Sequence, residues 1–85
     1  MSQIQAQPDG RFLVNALTPI DDFNARFATV FEDDDFDTIG GLVTSHIGHL
    51  PAVGDEYELN GLLFKVTKAD DRRVHQFAVR IQNAA

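Results

Sequence analysis

Glu56-Tyr57-Glu58-Leu59-Asn60-Gly61-Leu62-Leu63-Phe64-Lys65-Val66 decides the fold of this chain. Asn60-Gly61 is a hairpin turn, because both residues accept positive φ. Pairing outward from it sets Leu59 against Leu62, Tyr57 against Phe64 and Glu56 against Lys65. The first two pairs share one face, and Glu56 with Lys65 is expected to form an ion pair on the other. Asp70-Asp71-Arg72-Arg73 then reads as a second turn. A loop of those residues sets Val66 opposite Phe77, Phe64 opposite Val79 and Leu62 opposite Ile81. The same positions of the middle strand are apolar in both pairings, so a one-residue slip would expose the whole set. The outer face is expected to expose Leu63 beside Lys65, Thr67, Gln76, Ala78 and Arg80. That is a modest contact patch, unless the N-terminal segment covers it.

Upstream of this meander lie two helical stripes. Thr18-Pro19-Ile20-Asp21 reads as a helix start, with Thr18 as cap, Pro19 at the first helical position and Asp21 at the positive end of the dipole. Ile20, Phe23, Phe27 and Phe31 fall on one face of that helix. After the acidic run Glu32-Asp33-Asp34-Asp35, Asp37 is expected to cap a second helix whose buried stripe is Ile39, Leu42, Val43, Ile47 and Leu50. Pro51 and Gly54 end it. Gly40-Gly41 sits at its start, where each glycine sacrifices about 1 kcal/mol of helix propensity against alanine. That sacrifice points to close packing against bare backbone, with a phosphate cradle at the helix N-terminus as the functional alternative.

At the N-terminus, residues 4–7 alternate as a short edge strand, Pro8-Asp9-Gly10 turns the chain, and Phe12-Leu13-Val14 returns as a second strand. The order is strand–strand–helix–helix–strand–strand–strand. This predicts an α+β fold, an antiparallel sheet with two helices on one face. No linker, repeat or low-complexity tract interrupts it. The reading is one domain over residues 1–85, with an ordered core over about residues 4–81 and loose ends.

Composition narrows the function. The chain has 85 residues, a net charge of −6 and only 7 lysines and arginines, which argues against a nucleic-acid surface and a polybasic membrane anchor. Cysteine is absent, which excludes disulfide scaffolds, thiol nucleophiles and Cys-type zinc sites. No apolar run is long enough to span a bilayer, so direct membrane insertion by this chain is not expected. Residues 1–10 are polar and carry no signal-peptide core.

Candidate chemistry is sparse. Carboxylates at Asp33, Asp35 and Asp37 follow the odd-position ligands of a calcium loop. Thr38 stands where the loop needs glycine and Thr44 where it needs glutamate, so the EF-hand pattern fails. A looser divalent-cation site through Glu32, Asp33, Asp34, Asp35 or Asp37 is the remaining metal reading, against a solvated loop with a helix cap. His46 and His49 are three apart on the expected second helix, and His75 is on a distant strand. Ser45 and His46 are sequence neighbours and so point apart on a helix. No nucleophile elbow, P-loop or dinucleotide fingerprint is present. No catalytic constellation can be read, and the expectation is a protein that is not an enzyme.

Taken in order, several motifs resemble those of the transporter-associated domain shared by the CorC and HlyC proteins, in particular its magnesium and cobalt efflux branch. They are Asp9-Gly10, Ile20-Asp21-Asp22-Phe23-Asn24, Asp37-Thr38-Ile39-Gly40-Gly41-Leu42, Gly48-His49-Leu50-Pro51, Gly54-Asp55, Phe64-Lys65-Val66 and Asp71-Arg72-Arg73. The resemblance implies a fold similar to part of the FAD-binding fold of flavin oxidases, without a flavin motif here, and no cofactor is expected. It implies a regulatory or interaction domain that modulates ion transport by docking. The implied partners are CBS domains of the same family, a second copy as a homodimer, or a membrane transporter. It implies a cytoplasmic location, peripheral to the inner membrane through partners. CBS domains bind adenine nucleotides, but no CBS pair is present, so the chain is either a fragment or a stand-alone copy. The rival reading is a sensing domain that binds a divalent cation or small molecule directly.

Overall fold

The computed structural model describes residues 3–82. The expected looseness of the ends falls largely on residues 1–2 and 83–85, outside the described residues. The strands are β1 (Ile4–Ala6), β2 (Phe12–Asn15), β3 (Glu56–Leu59), β4 (Leu62–Ala69) and β5 (Val74–Ile81), and the helices are α1 (Ile20–Phe27) and α2 (Ile39–Ile47). One antiparallel sheet runs in the order β1-β2-β5-β4-β3. The element order and class agree with the alternation of apolar periods along the chain.

The Asn60-Gly61 hairpin has the expected register, with Leu59 against Leu62 and Tyr57 against Phe64. Both turn residues have positive φ, 51° and 81°. Glu56 and Lys65 are cross-strand neighbours, but they form no ion pair; the described ion pairs are Arg11 with Asp9 and His75 with Asp70. On the other side of β4, Leu62, Phe64 and Val66 face Ile81, Val79 and Phe77 as expected. The register then shifts and shifts back: Thr67 has no opposite residue on β5, and His75 none on β4. The two irregularities cancel, so the loop still closes across residues 70–73. Thr67 holds its bulge by donating from Oγ1 to the carbonyl and Oε1 of Gln76.

The pairing of β2 with β5 joins the two ends of the chain. Val14 lies opposite Phe77 and Phe12 opposite Val79. The N-terminal hairpin therefore extends the sheet edgewise and does not cover its outer face. That face is more covered than expected: Ala78 is only 3% exposed, Leu63, Lys65, Thr67 and Gln76 are half-buried, and of the six only Arg80 is exposed.

The inner face carries the core. Six of the seven phenylalanines form one connected chain of ring contacts. Phe12 meets Phe27 edge-on at 5.1 Å, Phe27 meets Phe23 at 4.4 Å, Phe23 stacks on Phe64 at 5.7 Å, and Phe64 meets Phe77 at 5.5 Å. Phe31 joins through Phe23. Such pairs add about 0.5–1.5 kcal/mol each beyond area burial. Ile39 and Val43 bring α2 into the same cluster, and Arg26 caps the edge with its guanidinium 4.8 Å from the Phe12 ring centre.

Both helix starts depart from the expected capping. Thr18 is buried and donates its hydroxyl to the carbonyl of Asn15, so it does not cap α1, and Pro19 stands at the cap position itself. Helix α2 is capped by Thr38, not Asp37: Thr38 Oγ1 accepts from the amide of Gly41 at 3.1 Å. Asp37 is displaced because its carbonyl is taken by the amide of Ile20. The reciprocal bond runs from the amide of Ile39 to the carbonyl of Thr18, and the two starts are clipped together.

The helix ends also differ. Helix α1 stops at Phe27, so Phe31 reaches the core from a loop. Asn24 makes this possible. Its Oδ1 accepts from the Phe31 amide and the Thr29 hydroxyl, and its Nδ2 donates to the Phe31 carbonyl. Ala28 takes the left-handed conformation, φ 56°, at the helix end. Helix α2 stops at Gly48, φ 91°, ahead of Pro51 and Gly54, and Leu50 lies beyond it, 38% exposed.

The glycine pair divides into two roles. A Cβ placed on Gly40 would stand 2.7 Å from the Ala16 Cβ and 2.8 Å from the Ala16 carbonyl oxygen. At Gly41 the nearest atom would be Thr38 Oγ1 at 3.4 Å, an ordinary contact. Close packing therefore belongs to Gly40. Gly40→Ala is expected to destabilise the fold by about 1–3 kcal/mol through overpacking. Gly41→Ala is expected to be neutral or to stabilise by up to about 1 kcal/mol through helix propensity. Paired thermal melts check this; equal melting temperatures for the two variants would remove the Ala16 contact as the reason for the glycine.

Candidate functional site

The same close approach leaves a groove beside it. A concavity of about 380 Å3 is lined by Ala16 and Leu17 after β2, by Phe36, Thr38, Gly40, Gly41, Thr44 and Ser45 around the first part of α2, by Leu50 beyond it, and by Arg72 to Val74 at the β4–β5 turn. Three large apolar side chains are exposed here, Leu17 at 52%, Phe36 at 36% and Leu50 at 38%. Phe36 is the one phenylalanine outside the chain of ring contacts. Thr38, Thr44 and Ser45 add hydroxyl-bearing residues to the wall. An apolar concavity with a few polar groups is the ordinary form of a binding or docking site.

The polar flank is held by one carboxylate. Asp70 Oδ1 accepts from the amides of Arg72 and Arg73 at 2.7 and 2.9 Å, and Asp70 Oδ2 lies 2.7 Å from His75 Nε2. The His75 side-chain hydrogen bond, followed by the two backbone amides, holds the Asp70 carboxyl well below the usual carboxylate range. Every acceptor site of Asp70 used here serves the turn, and the guanidinium groups of Arg72 and Arg73 stay exposed with no ion partner among the described residues.

The phosphate-cradle alternative fails on hydrogen bonding. At the start of α2, the amide of Ile39 donates to Thr18, Gly40 to Ala16, Gly41 to the Thr38 hydroxyl and Leu42 to Thr38. No amide of that first turn is left for an anion, because the chain's own carbonyls take the places a phosphate would occupy.

The acidic residues are spread. Glu32, Asp33, Asp34, Asp35 and Asp37 are all exposed along one loop. Among the described residues no three of His, Asp and Glu come together in a way that could hold a metal ion. His46 is exposed on α2, and His49 lies just past the end of that helix, its Nδ1 3.3 Å from the Leu50 carbonyl oxygen. The outer sheet face carries a second, smaller cleft of about 180 Å3, where Arg11, Lys65 and Arg80 surround Ala78 and Leu63 beside Glu56. Sequence reading found the Asp71-Arg72-Arg73 turn and the glycine pair separately. It missed that the fold puts them on one groove, and no local pattern signals that juxtaposition.

The geometry can be set against known proteins. The transporter associated domain family, CorC_HlyC, matches residues 5–83. The magnesium and cobalt efflux protein CorC of Vibrio cholerae serotype O1 is 51% identical over 70 residues, covering 82% of this chain and 24% of that protein. The CorC protein of Escherichia coli K12 is 52% identical over 68 residues, covering 80% of this chain and 23% of that protein. The chain thus spans about a quarter of the length of the curated relatives it matches. The Mg2+ and Co2+ transporter (CorC) associated region of Neisseria meningitidis MC58 superposes with a TM-score of 0.90 at 39% identity, over 94% of this chain and 99% of that one. The CorC_HlyC domain of a Xylella fastidiosa Temecula1 hemolysin, in complex with Mg++ and Mn++, superposes at 0.84 with 21% identity, over 96% of this chain and 100% of that one. That second likeness shows a shared fold. Among the described residues no helix is long and apolar enough to cross a membrane.

A depressed carboxylate contributes stability that is complete above its unfolded-state value, near pH 4, and is lost as pH falls toward its folded value. Asp70 therefore adds stability at neutral pH that disappears in acid. Asp70→Asn is expected to melt lower than wild type at pH 7 and to lose less further stability between pH 5 and pH 2. Parallel acid-titration melts of the two proteins check this. Identical slopes below pH 4 would show that the carboxylate does not brace the turn.

Proposed function

The chain belongs to the CorC_HlyC transporter-associated domain family, and from that premise we propose that it is a non-enzymatic regulatory and interaction domain of a magnesium and cobalt efflux system. It modulates ion transport by docking, through the groove, onto CBS domains, a copy of itself or a membrane transporter. The whole of residues 1–85 acts as one domain, and its partners bring it to the membrane face at which the ions move.

The observation that carries the reading is the groove. Leu17, Phe36 and Leu50 are exposed apolar side chains on one concavity, with the Arg72–Arg73 turn beside them. Apolar area of this kind is what a docking partner removes from water, at about 25 cal/mol per Å2. Docking then biases a transporter between states by the difference in contact made in each. A non-enzymatic role accords with the scattered nucleophiles and bases: Ser45 and His46 are exposed neighbours, and His75 is committed to Asp70. The family's likeness to part of the FAD-binding fold of flavin oxidases stays outside the proposal, which invokes no cofactor.

Leu17→Asp combined with Leu50→Asp is the test, because both side chains are exposed and their loss spares the core. In cells that express the chain in its native reading frame, cobalt efflux is expected to change several-fold at unchanged protein level. Unchanged efflux removes docking through the groove. Titration with magnesium and cobalt discriminates the sensing alternative: a saturable site tighter than about 10 μM, lost in the Asp33→Asn, Asp35→Asn double variant, would replace docking with direct sensing.

A further inference from the structure

We propose that the outer face of the sheet carries an oxyanion site, formed by Arg11, Lys65 and Arg80, that takes a terminal phosphate group, of a small phosphate ester or of a phosphatidate headgroup. The site is separate from the groove and does not rest on the docking reading.

The cleft there, of about 180 Å3, is lined by Arg11, Glu56, Leu63, Lys65, Ala78 and Arg80. The chain has 7 lysines and arginines against 13 acidic residues, and three of those seven meet at this one place. The register brings them there. Lys65 lies opposite Ala78, and Arg80 opposite Leu63, on the β4–β5 ladder. Phe12 lies opposite Val79, so Arg11, one residue earlier, extends β2 beside Arg80. Ala78 offers only a methyl group and is 3% exposed, which leaves a low floor between longer side chains.

Lysines that guard a sheet against further pairing belong on its edges. Strands β4 and β5 are interior, so Lys65 and Arg80 have no such task. Lys65 is half-buried, and among the described residues neither it nor Arg80 has an ion partner or a side-chain hydrogen bond. Glu56 is the cross-strand neighbour of Lys65 and forms no ion pair with it. Arg11 is held from outside the lining by Asp9, which accepts from its amide and its Nε, so that guanidinium is oriented before a ligand arrives.

This chemistry selects a phosphate. A terminal phosphate offers three oxygens, one for each cationic group, and about −1.5 to −2 of charge near neutral pH. A carboxylate offers two oxygens and a single charge. Guanidinium forks match phosphate oxygens, and the lysine adds a point charge. The cleft is smaller than the roughly 300 Å3 at which pockets enclose a whole drug-sized ligand, so the phosphate is the part held and its ester extends outward. The net charge of −6 repels an anion at long range, but that repulsion is screened beyond about 8 Å at physiological salt, while the three cations act at contact. The site is therefore weak, with a dissociation constant on the order of 1 mM.

Amide NMR shifts read the cleft residue by residue. Inorganic phosphate and glycerol 3-phosphate are titrated at about pH 7.5 and constant ionic strength near 150 mM, with chloride as the reference anion. Saturable shifts are expected at residues 63–65 and 78–80, weakened at least about ten-fold by Lys65→Gln with Arg80→Gln and unchanged by Leu17→Asp with Leu50→Asp. At about pH 5.5 binding of phosphate is expected to weaken and that of sulfate to hold, because only the phosphate loses its second charge. In a second arm, the chain is expected to co-sediment with phosphatidylcholine vesicles that carry phosphatidate, not with phosphatidylcholine alone, and the double variant to stay in solution. Melts matching wild type establish that the double variant folds; should it fail, Arg80→Gln alone carries the comparison, since that side chain is exposed. A response in the first arm alone assigns the site to soluble esters, and in the second alone to the headgroup; either one, lost in the variant, supports the proposal. Silence in both arms, a response that the folded variant keeps, or acetate bound as tightly as phosphate overturns it.

Discussion

The amide of Gly40 donates to the carbonyl of Ala16 at 2.9 Å, and most of the architecture depends on that approach. It brings the first turn of α2 onto the segment that leaves β2. Any side chain at position 40 would fill the space that the Ala16 carbonyl occupies. With the approach in place, the two reciprocal bonds between residues 18–20 and 37–39 follow, and both helix starts become fixed to one strand end. The amide of Ala16 completes the junction by donating to the carbonyl of His75, on β5. Four elements therefore meet within a few residues of Ala16, and the backbone bonds there set how both helices leave the sheet.

The bulged end of β4–β5 belongs to the same junction. His75 has no opposite residue on β4; its carbonyl reaches Ala16 and its ring reaches Asp70. A regular ladder would place its side chain and carbonyl by parity alone. The paired irregularities at Thr67 and His75 re-aim the turn without disturbing the register of Phe64 and Val79. Bulges of this kind commonly end pairing or redirect a side chain. Here the redirected element is the turn that carries Arg72 and Arg73 to the groove.

The sheet was legible in the sequence where the physics is local or strictly periodic. Asn60-Gly61 specifies its own turn, and the alternation through Leu62, Phe64 and Val66 leaves one register that buries them all. The helix boundaries were less legible because several residues near each end can cap. Asp37 and Thr38 are both good caps, and the choice went to Thr38 once the carbonyl of Asp37 was claimed by Ile20. Asn24 hid in a helical stripe because its work is done seven residues away, at Phe31, where the chain has already left the helix. Of the site, the arginine turn and the glycines could be named from sequence, and their convergence could not, since it arises from the β2–β5 pairing. The carboxylates of residues 32–37 could be named as well, and they lie spread along an exposed loop.

Phe36 shows why the groove is not a packing fault. The other six phenylalanines are drawn into the core by contacts that run from Phe12 to Phe77 with Phe31 as a branch. Phe36 is five residues beyond Phe31 and directly precedes the clip at Asp37 and Thr38; a Cβ placed on Gly41 would meet its ring at 3.5 Å. The clip fixes where the backbone runs just after that ring. Phe36 is thus an exposed aromatic ring on a hydrogen-bonded stretch of backbone, and on the docking reading a partner would meet it at little ordering cost. Beside Leu17, Phe36 and Leu50, Arg72 and Arg73 sit on a turn braced by the Asp70 carboxylate. On the docking reading, a partner is accepted to the extent that it matches an apolar floor with two arginines beside it.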